Sequence, residues 1–133
     1  MGLAPPDDGP CPCGSPDKYA ACCRPLLRDE HAAPTALALM RSRFSAFVIG
    51  DTGYLLASWH PSTRPKRIKL DSSIAWRRLQ IVDAVAGTEN DDTGVVDFRA
   101  QYEQNGRRLI LHERSRFNRY QGRWQYLDGV LAD

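Results

Sequence analysis

The chain has 133 residues, 42% of them hydrophobic and 26% charged, with a formal net charge of +2. That length holds one domain with room for a small appendage, and the apolar content excludes an intrinsically disordered chain. The balance of 18 basic against 16 acidic residues demands no polyanionic partner, and no apolar run is long enough to span a bilayer.

Residues 1–10 are acidic and Pro-rich and lack the apolar stretch of a secretory signal, so a cytoplasmic location is expected. All four cysteines follow between Cys11 and Cys23, and all nine prolines lie at or before Pro65. The opening is too short for a hydrophobic core of its own. The expected organisation is therefore a small segment over residues 1–28 followed by one domain over residues 29–133. In that domain Pro34 is expected to open a helix, with Leu37, Met40, Phe44, Phe47 and Val48 at helical spacing and Gly50 closing it. Asp51 can cap a second, shorter helix that carries Tyr54, Leu55 and Trp59 and must stop before Pro61. Residues 62–69 read as a basic connector.

From Trp76 onward the hydrophobic period drops to two. Leu79, Ile81 and Val85 are expected on one face of a first strand. Val96, Phe98, Ala100 and Tyr102 alternate with polar residues in a second, and Asn105-Gly106 supplies the turn chemistry of a hairpin. Leu109, Leu111 and Phe117 mark a long third strand. Gln121-Gly122 turns the chain, and Trp124 and Tyr126 lie on a fourth. Helices followed by an antiparallel meander predict an α+β fold with the helices on one face of the sheet.

The cysteines stand as Cys11-Pro12-Cys13 and Cys22-Cys23, eight residues apart. Two disulfides are one reading, although a reducing compartment disfavours them. Four thiolates around one tetrahedral zinc ion, at Zn–S distances of about 2.3 Å, are another. Gly14-Ser15-Pro16-Asp17 can reverse the chain, and Asp17 or Ser15 can cap a short helical turn through Tyr19 that delivers Cys22 and Cys23. Lys18 and Arg24 stand beside the cluster to offset its charge. Four protein ligands leave no open position, so such a site is structural. A thiol redox role has no CxxC motif to support it.

Cys-Pro-Cys-Gly-Ser, then Tyr19, then Cys22-Cys23, resembles the SEC-C motif, the zinc-binding tail of the translocase ATPase SecA. Residues 39–47 (Leu-Met-Arg-Ser-Arg-Phe-Ser-Ala-Phe), Trp59-His60-Pro61, residues 111–117 (Leu-His-Glu-Arg-Ser-Arg-Phe) and residues 122–129 (Gly-Arg-Trp-Gln-Tyr-Leu-Asp-Gly) resemble the YchJ-like family of small bacterial proteins. Together these segments span almost the whole chain. The resemblance implies a zinc knuckle joined to a cone-shaped domain of the nuclear transport factor 2 or cystatin-like type, with helices packed on a curved antiparallel sheet. It implies no activity.

Cones of that type often hold a ligand in their concavity, which directs attention to polar residues on apolar faces. With Leu37 at zero and about 100° per residue, Arg41 falls at about 40°, inside the stripe of Leu37, Phe44 and Val48, and Arg43 at about 240°, at its edge. Glu113 and Ser115 share parity with Leu109, Leu111 and Phe117. Arg41 and Glu113 are therefore expected to meet in the cone, as a structural ion pair or as a ligand anchor with a general base. His60 can cap carbonyls at a helix end or reach the pocket mouth, and His112 has the outer parity. Arg114 and Arg116 share that outer parity, where Asp97 and Asp128 are available as cross-strand partners.

The leading functional expectation is a zinc-stabilised, non-enzymatic accessory protein that docks another macromolecule, expected to be a protein, through its knuckle. The second is a small-molecule pocket or enzyme in the cone, with Arg41, Arg43, His60 and Glu113 around it. Nucleic-acid binding through the outer arginines ranks third.

Overall fold

The computed structural model describes residues 4–132. A 3-10 turn over Tyr19–Ala21 and a one-turn helix α1 (Arg24–Leu27) are followed by α2 (Ala36–Ile49) and α3 (Thr52–Ala57), then by strands β1 (Ile74–Ala86), β2 (Thr93–Gln104), β3 (Arg107–Tyr120) and β4 (Arg123–Leu131). The strands form one open antiparallel sheet in the order β1-β2-β3-β4. The helices lie on one of its faces, which is the α+β arrangement that the periodicity predicts.

Local chemistry sets the element ends. Helix α2 begins at Ala36 and not at Pro34: Thr35 is its cap, with its hydroxyl accepting the Ala38 N–H at 3.0 Å, while the Pro34 carbonyl accepts from the Trp124 indole of β4 at 3.3 Å. Gly50 ends the helix in the left-handed region at φ 82°, and Asp51 accepts the Tyr54 N–H at 3.0 Å to start α3. Asn105-Gly106 and Gln121-Gly122 turn the sheet with positive φ at both residues of each pair.

Leu39, Met40 and Phe44 of α2 bury against Leu79, Phe98 and Phe117 of the sheet. Bulges interrupt β1 after Trp76 and after Ile81, and interrupt the β3–β4 pairing after Arg116. Each adds twist and bends the sheet around the helices. The second bulge also corrects the expected facing of Val85. The extra residue places Ala84 opposite the buried Val96, so Val85 pairs with Val95 and is 46% exposed. At the other edge the chain leaving α3 runs beside β4. The His60 N–H donates to the Tyr126 carbonyl and the Tyr126 N–H to the Ser58 carbonyl, both at 2.8 Å, which covers that part of the strand.

The β1–β2 hairpin closes onto the start of α2 through two glycines. A Cβ on Gly87 would stand 2.7 Å from the Ala36 Cβ, and one on Gly94 only 2.6 Å from the Gly87 Cα. Gly122 also has positive φ, yet nothing lies within 4 Å of its Cβ position. Gly87→Ala is therefore expected to lower unfolding stability by about 3 kcal/mol, and Gly122→Ala by only about 1–2 kcal/mol from backbone strain alone. Urea melts of the two variants check this.

Candidate functional site

The N-terminal cysteines are delivered by two short pieces of backbone held side by side. Tyr19 N–H donates to the Gly9 carbonyl at 2.9 Å, and Gly14 N–H to Cys11 at 3.0 Å, which closes a tight turn through Pro12 and Cys13. The 3-10 turn then brings in Cys22, and Cys23 sits at the N-cap of α1. Lys18, not Asp17 or Ser15, stands at the N-cap of the 3-10 turn, and without a side-chain bond. Ser15 instead accepts the Asp17 N–H at 3.3 Å and contacts Cys22 Sγ at 3.0 Å.

All four sulfur atoms lie within 4.8 Å of one another. Cys13 and Cys22 are 3.6 Å apart, and Cys22 and Cys23 3.9 Å. A tetrahedron with metal–sulfur bonds of about 2.3 Å has sulfur–sulfur edges of about 3.8 Å. A disulfide needs about 2.05 Å, and all four cysteines are free. The thiols cannot share this space as four independent anions. Contacts from Cys11 and Cys23 drive the Cys13 thiol far below its usual range, the same shared contacts drive Cys23 far above it, and burial pushes Cys22 up to about 12. A cation at the centre removes that conflict, because every sulfur can then carry its charge. The donor set, the spacing and the electrostatics all fit a metal ion.

The cluster is pressed against α2. Cys11, Cys13, Cys23 and Tyr19 are buried, Ser45 Oγ stands 3.8 Å from Cys11 Sγ, and Arg41 Nη1 donates to the Cys13 carbonyl at 3.1 Å and stands 3.9 Å from its sulfur. This corrects two expectations. Arg41 does not meet Glu113: it turns to the cysteines. It also takes the charge-offsetting position expected of Lys18 and Arg24; Lys18 is exposed and Arg24 pairs with Asp7 at 3.5 Å.

Arg43 occupies the place expected of Arg41. It is 3% exposed, and its Nη1 donates to the Leu55 carbonyl at 2.8 Å and to Ser58 Oγ at 2.7 Å. Its guanidinium lies over the rings of Tyr126 and Trp59, 4.6 and 5.2 Å from their centroids. Burial lowers its pKa to about 10, and it keeps its charge at neutral pH. Arg43 and Glu113 line one pocket of about 120 Å³ between α2 and the sheet, with Ser115, Trp59 and Tyr126. Glu113 Oε2 accepts from Ser115 Oγ at 2.5 Å and from Tyr126 Oη at 3.4 Å. Burial, with the Glu113 charge behind it, pushes the Tyr126 hydroxyl up to about 12, so it remains a donor. Gly129 makes the room: a Cβ there would fall 2.5 Å from Glu113 Oε2.

His60 is not in this pocket. Its Nδ1 accepts the Ser62 N–H at 3.0 Å, and its ring packs edge-on against Tyr120. His112 bonds Asp97 at 2.6 Å on the outer face, where Arg114 and Arg116 pair with Asp97 and Asp128 as the cross-strand arrangement predicts. Sequence reasoning did not place Trp59 and Tyr126 around Arg43. Their positions depend on the junction between the α3 exit and β4, which has no local signature.

Comparison with known proteins agrees with this arrangement. Residues 35–129 match the family model for the YchJ middle NTF2-like domain, and residues 10–25 match the SEC-C motif. A UPF0225 protein of Streptomyces coelicolor is 50% identical over 124 residues, 93% of this chain and 97% of its own length. A UPF0225 protein of Chromobacterium violaceum is 47% identical over 125 residues, 92% of this chain and 93% of that one. The solution structure of a SEC-C motif containing protein from Rhodopseudomonas palustris matches with a TM-score of 0.80 at 30% identity, over 92% of this chain and 98% of that one. A crystal structure of a SEC-C motif containing protein from Psychrobacter arcticus shares the fold, with a TM-score of 0.76 at 23% identity over 96% of this chain and 85% of that one. An NTF2-like domain on which a four-cysteine SEC-C segment is docked defines the relationship: this chain belongs to the UPF0225 family of YchJ-like proteins.

Proposed function

We propose that the protein is a zinc-stabilised accessory protein of the cytoplasm, in which Cys11, Cys13, Cys22 and Cys23 hold one zinc ion and the knuckle of residues 1–28 docks another protein. The observation that carries the metal reading is the sulfur geometry, with pair separations of 3.6 and 3.9 Å that match the edge of a tetrahedron of thiolates. Four protein ligands close the coordination sphere, so the ion supplies folding energy and no reactive position. That energy is needed. Burying Tyr19 contributes about 2–3 kcal/mol, whereas zinc–thiolate binding in small zinc domains supplies about 10–16 kcal/mol.

Docking is supported by what the knuckle leaves outside. Its contacts with α2 include Cys11 against Ser45 and Cys13 against Arg41, while Gly14, Pro16, Asp17, Lys18 and Ala21 stay exposed. Arg41 and Ser45 hold this rim on the larger domain, which gives a partner a preformed surface in place of a floppy tail. Among the described residues no helix is long and apolar enough to cross a membrane, and cysteines that form no disulfide suit a reducing compartment.

Native mass spectrometry should find one zinc per chain, released by Cys13→Ser and, in the unaltered protein, by acid. Acid acts in that direction because each ligand must lose its proton to bind, so affinity falls as pH falls. A metal-free native mass, or a denatured mass lighter by the protons of a disulfide, overturns the zinc reading. For docking, Lys18→Glu should keep its zinc and its melting temperature and lose a partner that the unaltered protein retains; equal retention by both overturns that part.

A further inference from the structure

The pocket between α2 and the sheet carries two polar groups that the fold does not use up. Arg43 is 3% exposed, yet both of its hydrogen bonds leave from Nη1. Among the described residues its Nε and Nη2 have no hydrogen-bond partner. Glu113 receives Ser115 and Tyr126 on Oε2, which leaves Oε1 without one. Both side chains line the same space of about 120 Å³, where the Glu113 charge acts on Arg43 without a direct ion pair between them. Arg43 is buried and Glu113 half-buried, and a guanidinium and carboxylate that served only each other there would close to contact, since direct pairing is what offsets desolvation. Here each is held back by its own partners: Arg43 by Leu55, Ser58 and two aromatic faces, and Glu113 by Ser115 and Tyr126.

The walls decide what fits between them. Opposite charges on one wall make the pocket neutral in sum. An anion drawn by Arg43 meets Glu113, and a cation drawn by Glu113 meets Arg43. Aromatic rings form much of the rest, with Phe47 and Trp76 5.9 Å apart and tilted, and Trp59 edge-on to Tyr126 at 5.0 Å. Faces of this kind favour a flat molecule. We propose that this pocket binds a small, uncharged, planar ligand whose edge presents a hydrogen-bond acceptor to Arg43 and a donor to Glu113, the pattern of a lactam or amide on a heteroaromatic ring. This site is separate from the cysteine cluster and stands whether or not the knuckle docks a partner.

The test uses the full-length, isotopically labelled protein and three probes of similar size followed by amide chemical shifts: uracil for its paired C=O and N–H edge, benzoate as an anion and benzamidine as a cation. Uracil is expected to shift amides around Arg43 and Glu113 saturably in the millimolar range, with both charged probes weaker by about tenfold or more. Glu113→Gln leaves the pocket with a net positive charge, so the order should reverse in favour of benzoate; a merely structural carboxylate predicts no such reversal. Ala100→Leu, which fills the pocket from β2, should abolish uracil binding, and it keeps the test readable if Glu113→Gln fails to fold. Three results overturn the proposal. No pocket shift with any probe at about 10 mM means that water alone bridges the two charges. Benzoate binding tightest to the unaltered protein makes this an anion site. Uracil binding that survives Ala100→Leu places it elsewhere.

Discussion

One helix has to satisfy three unlike neighbours, and the rest of the molecule is arranged around that demand. Toward the sheet, α2 presents Met40, Arg43, Phe44 and Phe47; toward α3 it presents Ser42, whose hydroxyl meets Tyr54 Oη at 2.6 Å; toward the cysteines it presents Arg41 and Ser45. Ser42, Ser45 and Ala46 are completely buried, and their small side chains let α3 and the knuckle approach closely. A helix enclosed on so many sides cannot have a single apolar stripe. The knuckle and the larger domain thus share α2 as a common wall.

That geometry explains which parts of the sequence were readable. The four strands, both tight turns, the Gly50 stop and the Asp51 cap follow from signals that act within a few residues, and they appear in the structure where those signals stand. The proximity of the cysteines was legible for the same reason, since a turn through Gly14 and a 3-10 turn at Tyr19 are local. A helical wheel of α2 misleads because the helix does not have one buried face. Leu37, the origin of that stripe, and Val48 within it are only half-buried, while Leu39 and Arg43 lie inside. The wheel thus points to Arg41 where the structure has Arg43, two positions along. Val85 faces outward because of a bulge, a one-residue change that hydrophobic alternation does not announce.

The arginines show how charge is apportioned in a chain with so little net charge. Arg114 and Arg116 are held by aspartates on the outer face of the sheet, and Arg119 reaches the Asp91 and Glu89 carbonyls and lies over Trp124. Arg123 bonds Asp29 at 2.5 Å and so ties β4 to the linker that follows the knuckle. These positive groups act as braces between elements. Arg43 differs in being both buried and only partly occupied.

Gly129 has a consequence beyond this chain. The carboxylate of Glu113 turns inward only because β4 has no side chain opposite Ser115, where a Cβ would overlap it. The two positions therefore behave as a lock and its key, sixteen residues apart in sequence and adjacent across one strand pair. In a related chain, a glycine at the second position leaves room for an acid at the first to face inward. A bulkier residue there closes that room, so the two positions have to be read together when asking whether a relative's pocket can keep a negative pole.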